Sequence, residues 1–184
     1  MNYYGAKQLS ESFLTVRKNT ITIAEEIPEE QYGFRTAPDA RTIAQTLVHM
    51  TLALRLPEHI HATLKLKSLD GFDFPGFFVP LMAEEQKPRT KLEILTTLTE
   101  QGNHFAHFLG SLSEEFLAEH VSFPAGMNPP SKSRFEMLLG VKEHEMHHRA
   151  QLMMMQRMVG IVPHLTRQMN ERIASMMAQR TATA

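Results

Sequence analysis

Apolar residues recur at steps of three and four through most of the chain, the spacing that lines one face of a helix. Leu9, Phe13, Val16, Ile23 and Ile27 form the first such stripe, with Thr20 as its one polar lapse. They predict a helix over 6–27 that Pro28 stops. A polar, proline-marked connection follows, and Asp39 is placed to cap a second helix over about 40–67. That segment carries two adjacent lines: Ile43, Leu47, Met50 and Leu54, and beside them His49, Leu52, Leu56 and Ile60. It is therefore apolar over a wide face, as a bundle member should be. Pro57 should kink or break it.

Residues 68–88 interrupt the pattern. Gly and Pro recur there and four Phe (Phe72, Phe74, Phe77, Phe78) fall within seven positions, which reads as a long structured crossover and not as a helix. Its aromatics are expected to pin it to the bundle, with a partner-binding surface as the alternative. Thr90 to Glu93 fits a capping box and opens a third helix through Leu95, Leu98, Gly102, Phe105 and Leu109. A second connection, with a short turn of helix, leads to another capping box, Ser133 to Glu136. The fourth helix runs from there to Met158, with Gly160 as its C-terminal cap. Pro163 suits the first turn of a short final helix over about 164–179, and 180–184 should be frayed. No β-alternation and no repeat is present. The expectation is an all-α fold, a four-helix bundle with a long crossover and a short C-terminal helix, in one domain spanning 1–184.

Composition narrows the function. Nineteen basic residues against twenty acidic ones, with no basic block, give no electrostatic case for nucleic acid. The absence of cysteine excludes disulfides, thiolate nucleophiles and Cys-ligated zinc. No apolar run approaches the ~20 residues of a membrane span, and the first residues lack the apolar stretch of a signal peptide. A soluble cytoplasmic protein without membrane partners is expected. Ten His are many for this length, and their placement carries the chemistry.

"EHEMHHRAQL", residues 143–152, packs three His into an apolar helix. At about 100° per residue, Val141, His144, His148, Leu152, Met155 and Val159 form the stripe that should face the core. His144 and His148 are then i,i+4 neighbours, close enough to converge on one metal ion. Two imidazoles in an apolar seam need partners for their nitrogens, and a metal provides them while requiring the neutral form that burial favours. His49, inward on the second helix, is the best third ligand. Three neutral His with an open position is the pattern of a catalytic divalent site. Glu145 and His147 flank the stripe, each about 60° from a ligand, as candidates to orient ligands or move protons. Arg149 and Gln151 could orient Glu145 or an anion. His104 and His107 should be exposed, and His59, His61, His120 and His164 lack any constellation. The Met run 153–155 reads as gap-filling core.

These residues carry a resemblance. "HEMHHRAQL" (144–152) resembles the H-E-x-x-H-R-G-Q-L signature of the DinB/YfiT-like metalloenzymes, and "RTIAQTLVHM" (41–50) resembles that family's second-helix segment, which also ends in histidine. Ala150 stands where the family commonly has Gly, a small change within a helix. The resemblance covers the chain to about residue 160. It implies a bundle of up-down-down-up type, often dimeric, and a divalent ion held at the positions of His49, His144 and His148. The ion it implies is nickel or zinc, with iron or manganese as alternatives. It implies a small-molecule substrate, with transfer to low-molecular-weight thiols, isomerisation and hydrolysis among the family's activities.

Two other readings compete with this metal-dependent transferase or hydrolase. His144, Glu145 and His148 also satisfy H-E-x-x-H, the zinc metallohydrolase helix, with Glu171 as a downstream third ligand. Alternatively the bundle is a non-enzymatic binding or dimerisation module with a structural metal closed by a fourth protein ligand.

Overall fold

The stripe that begins at Leu9 is buried along its length: Leu9, Phe13, Val16, Thr20, Ile23 and Ile27 all lie inside. They are seen in a computed structural model of the chain, which describes residues 4–182. In chain order the helices are α1 (Ala6–Glu26), α2 (Ile43–Leu52), α3 (Arg55–Pro57), α4 (Phe74–Glu85), α5 (Lys91–Gly110), α6 (Glu114–Ala118), α7 (Arg134–Met158) and α8 (His164–Ala182). α1, α2, α5 and α7 form a four-helix bundle.

Cross-helix contacts fix the directions. Ser10 Oγ donates to the carbonyl of Ala106 at 2.7 Å near one end of α1, while Lys91 Nζ donates to the carbonyls of Glu25 and Ile27 at the other. α1 and α5 are therefore antiparallel. Arg17 meets Glu145, and further along Gln156 Nε2 meets Glu26, so α1 and α7 run parallel. Ile43 and Leu47 of α2 pack with Ile23 and Ile27, whereas Leu54, beyond its end, packs with Ala6 and Leu9. α2 thus returns against α1, and the order is up-down-down-up. Its middle two helices are parallel, which requires the long connection between them.

Three sequence expectations need correction here. The second helix is capped by Thr42, whose Oγ1 accepts from the Gln45 N–H while the Gln45 side chain accepts from the Thr42 N–H. Asp39 precedes that capping box, so the helix opens three residues later than expected. Beyond Leu52 the helix does not continue to 67. Pro57 lacks the N–H that would extend the α ladder, and Glu58–Thr63 widens into a π-helical segment. The crossover contains a real helix, α4. Pro75 stands in its first turn, where a missing N–H costs nothing, and Asp73 caps it by accepting from Gly76.

Smaller departures follow the same logic. His120–Ser122 (β1) pairs antiparallel with Ser131–Ser133 (β2), strands too short to show alternation. α8 continues through Arg180 to Ala182, with 183–184 outside the described residues. Phe72 and Phe74 pack against Ile60, Leu69 and Val121, anchoring the crossover as expected. Of the Met run only Met155 is buried, and Met154 is exposed. No helix among the described residues is long and apolar enough to cross a membrane.

Candidate metal centre

His49 stands in the last turn of α2, and His144 and His148 one turn apart on α7. Packing α2 against α7 brings their ring nitrogens together. His144 Nε2 lies 3.3 Å from His49 Nε2 and 3.1 Å from His148 Nε2. One nitrogen from each of the three lies within 4.8 Å of the others, a grouping that could hold a metal ion. Bonds of about 2.0–2.1 Å to a tetrahedral ion place neighbouring nitrogens roughly 3.3–3.4 Å apart, so the spacing fits a divalent ion.

The outer ring nitrogens set the tautomers. His49 Nδ1 lies 3.0 Å from Glu85 Oε2, and His148 Nδ1 lies 2.8 Å from Gln151 Oε1. Both partners accept, so each Nδ1 carries the proton and each Nε2 presents a lone pair to the centre. Burial lowers the pKa of His49, reinforced by Arg41 and opposed by Glu85. Burial and then the other two imidazoles bring His144 down to about 4. Burial also lowers His148, opposed by its hydrogen bond to Gln151. All three are therefore neutral near pH 7, the form that ligates, and the His49–Glu85 contact is a hydrogen bond from the neutral ring to a carboxyl oxygen.

Glu85 was not foreseen, because it ends a helix that the Gly- and Pro-rich sequence hides. It is nearly buried and held by Arg41 Nε at 2.7 Å. Gln45 Nε2 donates to Gln86 Oε1 at 2.6 Å, tying α2 to the same end of α4.

The two proton-handling candidates separate. His147 is exposed and reaches the cluster through Gln151, whose Nε2 lies 3.2 Å from His147 Nε2. Glu145 faces the bundle interior and α1. Its Oε2 accepts from Arg17 Nε and Nη2 at 3.0 and 2.8 Å, and its Oε1 accepts from Thr20 Oγ1 at 2.9 Å. The core face of α7 is centred on Leu138, Glu145, His148 and Leu152, so Glu145 is more deeply buried than His144. Thr20, the lapse in the α1 stripe, is the partner of this carboxylate. Glu171 is exposed on α8 and is not part of the grouping, which His49 completes. His104 and His107 are exposed.

Two cavities flank the cluster. One, of 490 Å³, has Leu52, Leu56, Ile60 and Val141 among its walls and touches His49 and His144. The other, of 860 Å³, is more polar, with Asp39, Arg41, His147, His148 and Gln151 in its lining.

The sequence profile of the DinB superfamily matches residues 12–152, a span that includes all three histidines. The chain belongs to the DinB superfamily. Solved DinB-like structures share its fold. YfiT from Bacillus subtilis, described as a probable metal-dependent hydrolase with an unusual four-helix bundle topology, superposes with a TM-score of 0.64 at 13% identity, over 88% of this chain and 91% of its own. A DinB-like protein from Bacillus cereus gives 0.62 at 17% identity, over 85% and 93%. The DinB-like protein YjoA of Bacillus subtilis gives 0.58 at 19% identity, over 83% and 92%. No curated protein matches the chain. The fold of this DinB protein is thus shared with its relatives, and its chemistry rests on its own residues.

Proposed function

We propose that this DinB protein is a divalent-metal-dependent enzyme in which His49, His144 and His148 hold the ion and leave a position open to water or a substrate heteroatom. The observation that carries this reading is the convergence of three neutral imidazoles, two of which have their protons fixed on the outer nitrogens by Glu85 and Gln151. A divalent ion supplies Lewis acidity and brings a bound water or thiol toward ionisation at neutral pH. Imidazole suits nickel, zinc and iron alike, with nickel or zinc the first ions to test.

The chain's own residues divide the remaining work. Glu85 and Gln151 orient ligand rings. His147, at the solvent edge and bonded to Gln151, is the group placed to exchange protons with bulk water. Glu145 acts through its hold on α1, as a positioning residue for the ligand helix. Two reaction types fit, hydrolysis and transfer to a low-molecular-weight thiol. The likeness of fold to YfiT supports the first, and the polar cavity beside His148, which could seat a polar cosubstrate, supports the second. A structural role is less well supported, because no fourth protein ligand joins the group among the described residues. The exposed Met169, Ile173, Met176 and Met177 of α8 support assembly as a homodimer.

Elemental analysis of untagged protein tests the reading. Wild type should carry about one ion per chain, and His49→Ala should lose it. Metal retained at full stoichiometry by His49→Ala would refute the assignment of the third ligand.

A further inference from the structure

Arg41 stands just before the Thr42 cap of α2 and borders both cavities beside the histidine cluster. Its Nε donates to Glu85 Oε1 at 2.7 Å, and the other oxygen of that carboxylate meets His49 Nδ1 at 3.0 Å. One side chain therefore separates Arg41 from a ligand ring. Its charge also reaches the cluster, since it is among the causes that lower the pKa of His49, His144 and His148.

The two buried arginines show what is unusual about it. Every guanidinium nitrogen of Arg17 has a protein partner: Nε and Nη2 reach Glu145, and Nη1 reaches the carbonyl of Leu98. Arg134 likewise spends Nε on Glu119, Nη1 on His61 and Nη2 on the carbonyl of Lys65. Arg41 spends Nε alone. Its terminal Nη1 and Nη2 have no acceptor among the described residues, and its side chain is 42% exposed. A guanidinium presents such groups as a planar fork that matches the two oxygens of a carboxylate.

The two cavities are not equivalent for an anion. The polar one adds the side chain of Asp39, whose carboxylate would repel it. In the 490 Å³ cavity the acidic residue is Glu85, already bound to Arg41 and His49. The rest of that wall is mainly hydrocarbon, from Leu52, Leu56, Ile60, Leu81 and Val141. Gly140 leaves open space on the α7 side, where a Cβ would meet nothing within 4 Å.

We infer that Arg41 binds the carboxylate of a small apolar acid whose hydrocarbon body fills the 490 Å³ cavity, and that this is the substrate class presented to the metal centre. The volume suits a small organic molecule. Because Arg41 is partly exposed, the charged head stays in reach of water and only the body is desolvated. The inference rests on the metal-enzyme reading for its place in catalysis, but the binding itself does not require the ion.

Calorimetric titration with 4-phenylbutyrate and its uncharged counterpart 4-phenylbutan-1-ol tests it, on metal-free and zinc-loaded protein. The metal-free samples decide the role of Arg41, because zinc can itself take a carboxylate. Metal-free wild type should bind both, the acid about tenfold more tightly, as charge-assisted hydrogen bonds supply. Arg41→Gln should erase that preference and leave the alcohol unchanged. Arg41→Lys keeps a cation for Glu85 but loses the fork, and should retain only part of the preference; it decides the matter if Arg41→Gln does not fold. Gly140→Leu should abolish binding of both ligands. Absence of binding by wild type, or unchanged binding by Gly140→Leu, would overturn the site. Equal binding of acid and alcohol by wild type, or a preference that survives in Arg41→Gln, would overturn the role of Arg41. Metal content measured on the same preparations before chelation separates the two readings: metal without a preference for the acid defeats this inference alone, and that preference in a protein that carries no metal defeats only the metal centre.

Discussion

Glu145 and His148 sit three positions apart on one helix and face the same interior, yet they meet opposite needs. The Glu145 carboxylate is buried, and Arg17 and Thr20 satisfy its oxygens with three hydrogen bonds. Arg17 is equally buried, with a further bond to the carbonyl of Leu98 at 3.2 Å. Removing one charge of such a pair strands the other. Glu145→Gln should therefore lose about 3 kcal/mol of stability in urea unfolding while keeping wild-type metal stoichiometry. Replacing both partners, Arg17→Met with Glu145→Met, should recover most of that loss. If Glu145→Gln instead keeps its stability and loses turnover, the carboxylate handles protons after all. The pairing of His144 and His148 on one face was legible in the sequence because i,i+4 spacing is a local property. The fate of Glu145 was not, because its partner lies 128 positions away, and a motif that fits H-E-x-x-H says nothing about what packs against the Glu.

At the scale of elements, capping explains which boundaries could be read. Thr90 and Ser133 each form the reciprocal bonds their sequence pattern announces. Thr42 does the same with Gln45, but a plausible Asp three residues earlier obscured it. α4 was hidden because Pro75 and Gly76, read as breakers, occupy a first turn where both are tolerated, and Pro80 lies further inside. Its importance is out of proportion to its exposure, since it delivers Glu85 to the outer nitrogen of His49. Partners of this kind fix ring orientation and basicity, and their loss costs roughly 10–100-fold in metal affinity. Glu85→Ala should show a loss of that size in competition with a chelator, with full occupancy recovered at high metal concentration. Affinity equal to wild type would mean that α2 alone orients His49.

At the scale of the whole molecule, several histidines are held neutral by burial, and this couples folding to pH. His61 gives the clearest case. Its folded pKa is about 4 against an ordinary 6.5, so between those values the unfolded chain binds the extra proton. The contribution to stability is complete above pH 6.5 and is lost as pH falls toward 4, to a limit of roughly 3 kcal/mol. His49, His144, His148 and His164 are shifted the same way. Metal-free protein should thus weaken progressively below pH 6.5, and His61→Phe should show a shallower decline in urea unfolding across that range. An identical slope in the two proteins would mean that His61 protonates in the folded state as readily as in the unfolded one.

The placement of an apolar cavity on the His49 and His144 side and a polar one on the His148 side has a kinetic consequence. Two reactants of unlike solubility would each meet walls of their own kind on either side of the cluster, with Arg41, Met82 and Glu85 bordering both cavities. A bimolecular reaction would then pass through a ternary complex, with both reactants held against the cluster together.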